Sequence, residues 1–265
     1  RYYALIRQLQ PKANIAICGP DIRWVGNEGG KTRKSEFAVV PDTLCRAETV
    51  SENSQHTENE SVKLKSLTST DEDLGSRKVL EKSSGLCWYP AEVDVSIRKG
   101  WFYSRNENIT VKSGRKLFQL YLASVGNNCT LLLNVPPTDK GVIHHKDVKV
   151  LKSLGRKIKE MTANPILIQS PGAFTEQDGF IDFPFDRERK LKYVILKEDI
   201  RKSQRVEAFD LYVKKKNGKF KKVASKTIIG SCKIIKLKGM KCVGVRLVVR
   251  QSRSNPLISE IGFYE

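Results

Sequence analysis

The 265-residue chain has no uncharged apolar run of about eighteen residues, so no segment of it would cross a bilayer as a helix. Its six cysteines form no CxxC pair and follow no metal-ligand spacing, which argues against a zinc or dithiol site. Nothing in it follows a zinc-finger, RNA-recognition or leucine-zipper pattern. The formal charge of +19 therefore has no nucleic-acid motif to accompany it, and a lysine-rich solvated surface is the plainer reading. The chain opens with neither an initiator Met nor a signal peptide. It begins inside the amphipathic stretch "RYYALIRQLQP", where Tyr2, Tyr3, Leu5, Ile6 and Leu9 fall at helical spacing, and it is expected to be a fragment or mature piece.

What is present is ordinary for a globular protein: 39% hydrophobic and 29% charged residues, enough to build one large or two smaller domains. Up to Met161 the chain alternates buried strand, loop and amphipathic helix. Ala13–Cys18, Leu86–Tyr89 and "CTLLLNVPP" read as strands, and Lys116–Val125 and "HHKDVKVLKSLGRKIKEM" as helices. That alternation predicts parallel α/β units. Residues 46–83 are polar and Ser/Thr/Glu-rich and are expected to form a long surface excursion. Beyond Met161 come short runs with β alternation, and Asn217-Gly218 between two of them predicts a hairpin. About 100 residues of such strands predict a β-sandwich. The boundary is placed between a first domain, 1–161, and a second, 162–265. Basic residues outnumber acidic ones 26 to 18 in the first and 22 to 11 in the second.

Three loops follow expected strands: "GPDIRWVGNE", "PAEVDVSIRKGWFY" and "NVPPTDKG". The first two gather Asp21, Arg23, Trp24, Asn27, Glu28, Trp88, Glu92, Arg98, Trp101 and Tyr103. Aromatic rings can stack on the C–H faces of a sugar while charged groups fork onto its hydroxyls, so this set fits carbohydrate recognition. The same residues would serve equally as core aromatics and locally paired arginines.

The blocks "YYALIRQLQP…GPDIRWVGNEGG…WYPAEVDVSIRKGWFY…SVGNNCTLLLNVPP" resemble, in order, the second half of an α-L-fucosidase of glycoside hydrolase family 29, in the branch acting on α-1,3/1,4-linked fucose. The tail from "KEDIRKSQRVEAFDLYV" to "PLISEIGFYE" resembles the carbohydrate-binding-module-like sandwich that follows the barrel in that branch. The resemblance implies the C-terminal half of a (β/α)8-like (TIM) barrel followed by an antiparallel, galactose-binding-like β-sandwich. It implies a retaining glycosidase with two carboxylates. The family's acid/base glutamate maps to Glu28, whose pKa burial beside Trp24 would raise. Asp21 ranks below it, as an ion-paired organiser of the loop. Arg23, Trp24, Asn27, Trp88, Glu92, Arg98, Trp101 and Tyr103 are the implied substrate-binding residues, although Arg98 could equally brace its loop. Asn134 is expected to shape the barrel rim.

No metal or organic cofactor is implied. The implied partner is a fucosylated oligosaccharide or glycoprotein glycan, with no nucleic acid, and the implied location is extracellular. The family's nucleophile, an aspartate in a Trp-Phe-Asp-Gly type motif, has no counterpart in this chain, which is therefore expected to be inactive alone. Two departures bear on glycan preference: position 104 is Ser where relatives place His, and position 37 is Phe where they often place Trp. The rival functions are a non-catalytic glycan-binding protein and a basic polyanion- or nucleic-acid-binding protein.

Overall fold

A computed structural model describes residues 1–16, 19–46, 71–173 and 179–265. Its first part is mixed α/β. Helix α1 spans Tyr2–Leu9, and a parallel sheet is built from β1 (Arg23–Trp24), β4 (Ala91–Ser96) and β5 (Cys129–Asn134), with β4 in the centre. A two-stranded antiparallel ladder, β2 (Val39–Pro41) with β3 (Leu86–Trp88), lies beside it, and the short helix α2 covers Arg77–Leu80. Helices α3 (Gly114–Ser124) and α4 (His145–Thr162) complete this part.

Several sequence expectations need correction. Residues 13–16 of the expected strand Ala13–Cys18 form no strand, and the remainder lies outside the described residues. The Leu86–Tyr89 run supplies the half-exposed β3 and not a member of the parallel layer. That layer's central strand is instead Ala91–Ser96, expected above as part of a loop although its acid and apolar residues alternate with period two. Residues 47–70 of the expected surface excursion lie outside the described residues, but Leu74 behind them is buried in a small core with Phe37, Val40 and Tyr89.

The register of the parallel sheet fixes which side chains share a face. Trp24 pairs with Glu92 and Glu92 with Thr130, while Arg23 pairs with Ala91 and Ala91 with Cys129. Because side chains alternate with period two, Ala91, Val93, Val95, Leu131 and Leu133 all face one way. Val25, Ala91, Val93, Cys129 and Leu131 form one cluster, and Val95, Leu131 and Leu133 join the buried sides of α3 and α4. Trp24, Glu92, Asp94, Ser96 and Asn134 are left on the opposite face. Helix α3 starts where Ser113 accepts a hydrogen bond from the Lys116 N–H, and α4 where the His144 imidazole accepts one from Lys146 N–H.

The second part is one antiparallel sheet in the order β10-β9-β11-β8-β12-β6, with β7 (Gly172–Ala173) on β12. Its strands are β6 (Pro165–Gln169), β8 (Phe180–Glu198), β9 (Val206–Lys214), β10 (Phe220–Lys226), β11 (Lys233–Ser252) and β12 (Leu257–Tyr264). Asn217-Gly218 closes the β9–β10 hairpin, with Gly218 at φ 79°. Phe263 pairs with Val194 on β8, yet its ring lies 5.2 Å from that of Phe183, eleven residues away along the same strand. A straight strand would separate those two positions by about 36 Å. The long strands therefore double over, and the sheet closes on itself in two layers around Phe183, Leu191, Leu196, Phe209, Leu247 and Phe263. β11 breaks register between Lys236 and Met240, where Gly239 takes φ +68°, a conformation open to glycine at little cost.

Two adjacent asparagines join the parts. Asn128, at φ 64°, donates to Glu36 O at 2.8 Å, and its Oδ1 accepts from Ser231 N–H at 2.7 Å and from the Ser231 hydroxyl at 2.8 Å. Asn127 donates to Arg33 O at 2.8 Å, and its Oδ1 accepts from Lys233 Nζ of the antiparallel sheet. Alongside, Ile195 and Tyr264 of the antiparallel sheet pack into the core of α3 and α4. Asn128 is 4% exposed, so truncating it removes three hydrogen bonds, of which the one to the Glu36 carbonyl is buried. Asn128→Ala is expected to lower the unfolding free energy by about 2–4 kcal/mol, read by urea denaturation, with Asn128→Asp retaining part of it through the Ser231 bonds.

Candidate active site

The site forms where the polar face of the parallel sheet meets the loops after β1 and β4. Gly26, at φ 95°, turns the chain out of β1. The next residue, Asn27, closes the loop on itself. Its Oδ1 accepts from the N–H groups of Gly29 and Lys31 at 3.1 Å each, and its Nδ2 donates to Lys31 O at 2.9 Å. Glu28 is thereby held at the tip of a tight polar turn, and Asn27 is engaged in making that turn.

The loop after β4 is fixed from several sides. Ser96 Oγ donates to Gly100 O at 2.6 Å, Gly100 N–H donates to Glu107 Oε2 at 3.0 Å, and Lys112 Nζ donates to the carbonyls of Ser96 and Arg98 at 2.6 and 2.9 Å. Asn134, opposite Ser96 in the ladder, donates to Ser96 Oγ at 3.1 Å and to Trp101 O at 2.9 Å. The result is a positioned Trp101, whose indole N–H donates to Glu28 Oε2 at 2.7 Å. Two loops separated by 73 positions thus meet at one carboxylate oxygen.

The arginines expected to bind substrate are buried in ion pairs. Arg23 is 1% exposed; its guanidinium donates to Glu36 Oε2 at 2.8 Å, Phe37 O at 3.0 Å and Tyr89 O at 3.1 Å, on the face away from Glu28. Burial works to raise the Glu36 carboxyl, but the charges of Arg23 and Arg33 outweigh it and hold Glu36 below the usual glutamate range. Arg98 is fully buried, with Nε 3.0 Å from Asp147 Oδ2 and a second donor 2.9 Å from Asn108 Oδ1, and it lies 5.0 Å from the centre of the Tyr103 ring. These contacts tie Arg98 to the start of α4 and to Asn108. Trp88 stands on β3, 41% exposed, with its neighbours in the β2–β3 ladder. Asp21 is ion-paired with Arg7, and that hydrogen bond holds its carboxyl below the ordinary aspartate range. Phe37, one of the two departures, is core: it is 7% exposed, with Arg253 5.0 Å from its ring centre. His144 and His145 begin α4, and His56 lies outside the described residues.

The sheet brings Trp24, Glu92 and Asp94 together on the Glu28 side. Sequence reasoning passed over Asp94; reading "AEVDVS" as a strand of period two would have found it. Burial first, then the charge of Glu92 and that of Glu28, push the Asp94 carboxyl up to about 7, and burial raises Glu92 as well. Phe102, beside Trp101, is 87% exposed and offers an uncovered ring next to the site.

The sequence signature described as Alpha-L-fucosidase matches residues 16–162, more than half of the chain. The chain belongs to the α-L-fucosidase family, glycoside hydrolase family 29. It is 28% identical to Alpha-L-fucosidase 1 of Arabidopsis thaliana over 296 aligned positions, which cover 99% of this chain and 53% of that protein. The chain thus spans about half the length of this curated relative. Among solved structures, a candidate α-L-fucosidase from Bacteroides ovatus superimposes with a TM-score of 0.83 at 36% identity, over 99% of this chain and 44% of that one. A Ruminococcus gnavus family 29 fucosidase solved with fucose bound gives a TM-score of 0.70 over 92% of this chain and 50% of its own, and at 21% identity it shares the fold. The α/β part followed by a large antiparallel sheet is shared with these structures.

The Arg98–Asp147 pair is the clearest mechanical support of the Trp101 loop, since both side chains are fully buried. Asp147→Asn leaves a guanidinium buried without its countercharge. It is expected to cost about 3–5 kcal/mol of stability, seen as a lower chemical-denaturation midpoint.

Proposed function

We propose that this chain carries the acid/base half of a retaining α-L-fucosidase site that acts on terminal α-1,3/1,4-linked fucose of extracellular glycans. The observation that carries the reading is the Trp101 Nε1–Glu28 Oε2 hydrogen bond at the mouth of the parallel sheet, in a chain of this family. With Oε2 fixed by the indole, Oε1 is the oxygen that carries the transferable proton. In the first step Glu28 gives that proton to the leaving sugar's oxygen. In the second it takes one from the water that breaks the fucosyl-enzyme. The ring of Trp24 and the outward Phe102 flank the approach and supply apolar surface for the C–H faces of sugars.

The two-carboxylate route also requires a nucleophile about 5 Å across the ring from the acid/base. The family's Trp-Phe-Asp-Gly type motif does not occur in these 265 residues. The reading is therefore of the C-terminal portion of the enzyme, comprising half of a (β/α)8-like barrel in residues 1–161 and a galactose-binding-like sandwich in residues 162–265.

The chain alone is expected to release no fucose from an aryl α-L-fucoside or an α-1,3/1,4-fucosylated oligosaccharide. A native gene product heavier than 30.0 kDa by roughly 10 kDa or more, as a barrel of about 250 residues requires, should release it. In that product Glu28→Gln should lower turnover by about 100- to 10,000-fold. Turnover that survives Glu28→Gln would refute the assignment. A native mass of 30.0 kDa with fucose binding and no hydrolysis would leave a glycan-binding protein.

A further inference from the structure

Glu92 and Asp94 lie two residues apart on β4, so their side chains leave the strand on the same face. Glu92 is 5% exposed and Asp94 4%. Among the described residues, Glu92 Oε1 and both oxygens of Asp94 have no donor, although the two side chains are within hydrogen-bonding reach of one another. Two buried carboxylates in contact, with no N–H or cation between them, cannot both stay ionised at modest cost. The neighbouring cations are committed elsewhere: Arg23 to Glu36 behind the sheet, Arg98 to Asp147, and Lys112 to two backbone carbonyls. The charge bearing on Asp94 comes from Glu92 on its own strand and Glu28 on the loop after β1. From β5 the same face presents Thr130 and Leu132, neither of them charged.

We propose that Asp94 is a positioning residue that shares one proton with Glu92, and that the charge of the neighbouring Glu28 helps to hold that proton in place. With the proton in place the pair presents a single negative charge to the Glu28 side of the sheet. Without it the pair presents two. The link to catalysis rests on the acid/base assignment of Glu28 above; the shared proton does not. No oxygen needs to be created or removed, since the proton moves only between Asp94, Glu92 and water.

The test is infrared spectroscopy of the purified chain, following the C=O stretch of protonated carboxyl groups against pH. The wild type should show a band that titrates with a midpoint near 7 and is absent from Asp94→Asn. Glu198, also raised by burial, should contribute a band that persists in that variant. Glu92→Gln removes the larger neighbouring charge and should move the Asp94 midpoint down by about one unit. Glu28→Gln should move it down by a smaller step. No band lost in Asp94→Asn, or a midpoint indifferent to Glu92→Gln, overturns the shared proton. A midpoint indifferent to Glu28→Gln overturns the coupling.

Should Asp94→Asn fail to fold, aspartate-carboxyl ¹³C NMR of the wild type decides. One aspartate titrating near 7 supports the proposal, and all of them titrating below about 5 defeats it. Unfolding supplies a second check. A carboxyl whose folded pKa lies above its unfolded one makes the folded state bind the extra proton, so stability falls as pH rises from about 4 through 7. That slope should flatten in Asp94→Asn. Fucose release that is unaffected by Glu28→Gln would remove the catalytic reading while leaving these shifts intact.

Discussion

The period-two alternation of β4 is the constraint on which the site depends. Ala91, Val93 and Val95 must face the helices, because that is where the apolar surface of the first part is buried. Glu92, Asp94 and Ser96 are then forced onto the other face, whatever their desolvation costs. The parallel register carries the consequence outward: Trp24 falls beside Glu92, and Asn134 beside Ser96. A one-residue slip would set three polar residues against the aliphatic cluster and three aliphatic ones on the polar face, so the hydrophobic core and the polar site specify the same register.

The charged groups divide into those that hold the site and those that form it. Arg23, Arg33 and Arg98 are spent on Glu36 and Asp147 in buried pairs. Such pairs gain little net stability over an apolar core, but breaking one is costly, so they lock the segments they join. Arg23 ties β1 to the segment before β2, and Arg98 ties the Trp101 loop to the first turn of α4. With these cations withdrawn, the polar face is left with carboxylates alone. That is the electrostatic setting in which Asp94 can keep its proton near neutral pH.

The antiparallel sheet takes part in this arrangement by supporting its outer side. Its Ile195 and Tyr264 complete the core on which α3 and α4 rest, and Ser231 satisfies Asn128 at the start of β5. The lysines of "KKKNGKFKK" lie on β10 and its hairpin, the edge of the sheet order. Lysine on an exposed edge deters pairing with another chain, which accounts for much of the charge density in physical terms.

From the sequence alone, the family, the helices and the Asn217-Gly218 hairpin could be read, because each depends on local spacing or on a contiguous motif. Helix α3 shows its periodicity within eleven residues, and a type of turn is written in two. The partners of Arg23 and Arg98 could not be read, since an arginine's partner is chosen by three-dimensional proximity and theirs lie 13 and 49 positions away. β4 was legible in the period-two alternation of "AEVDVS", but the burial of both of its faces was not. The doubling of β8 was equally hidden: a run of 19 residues states that it is a strand, but only the packing of Phe183 on Phe263 makes it bend. The sequence determined which chemical groups are present and in what local geometry; the tertiary structure decided which of them face one another, because burial and countercharge are properties of neighbours brought from elsewhere in the chain.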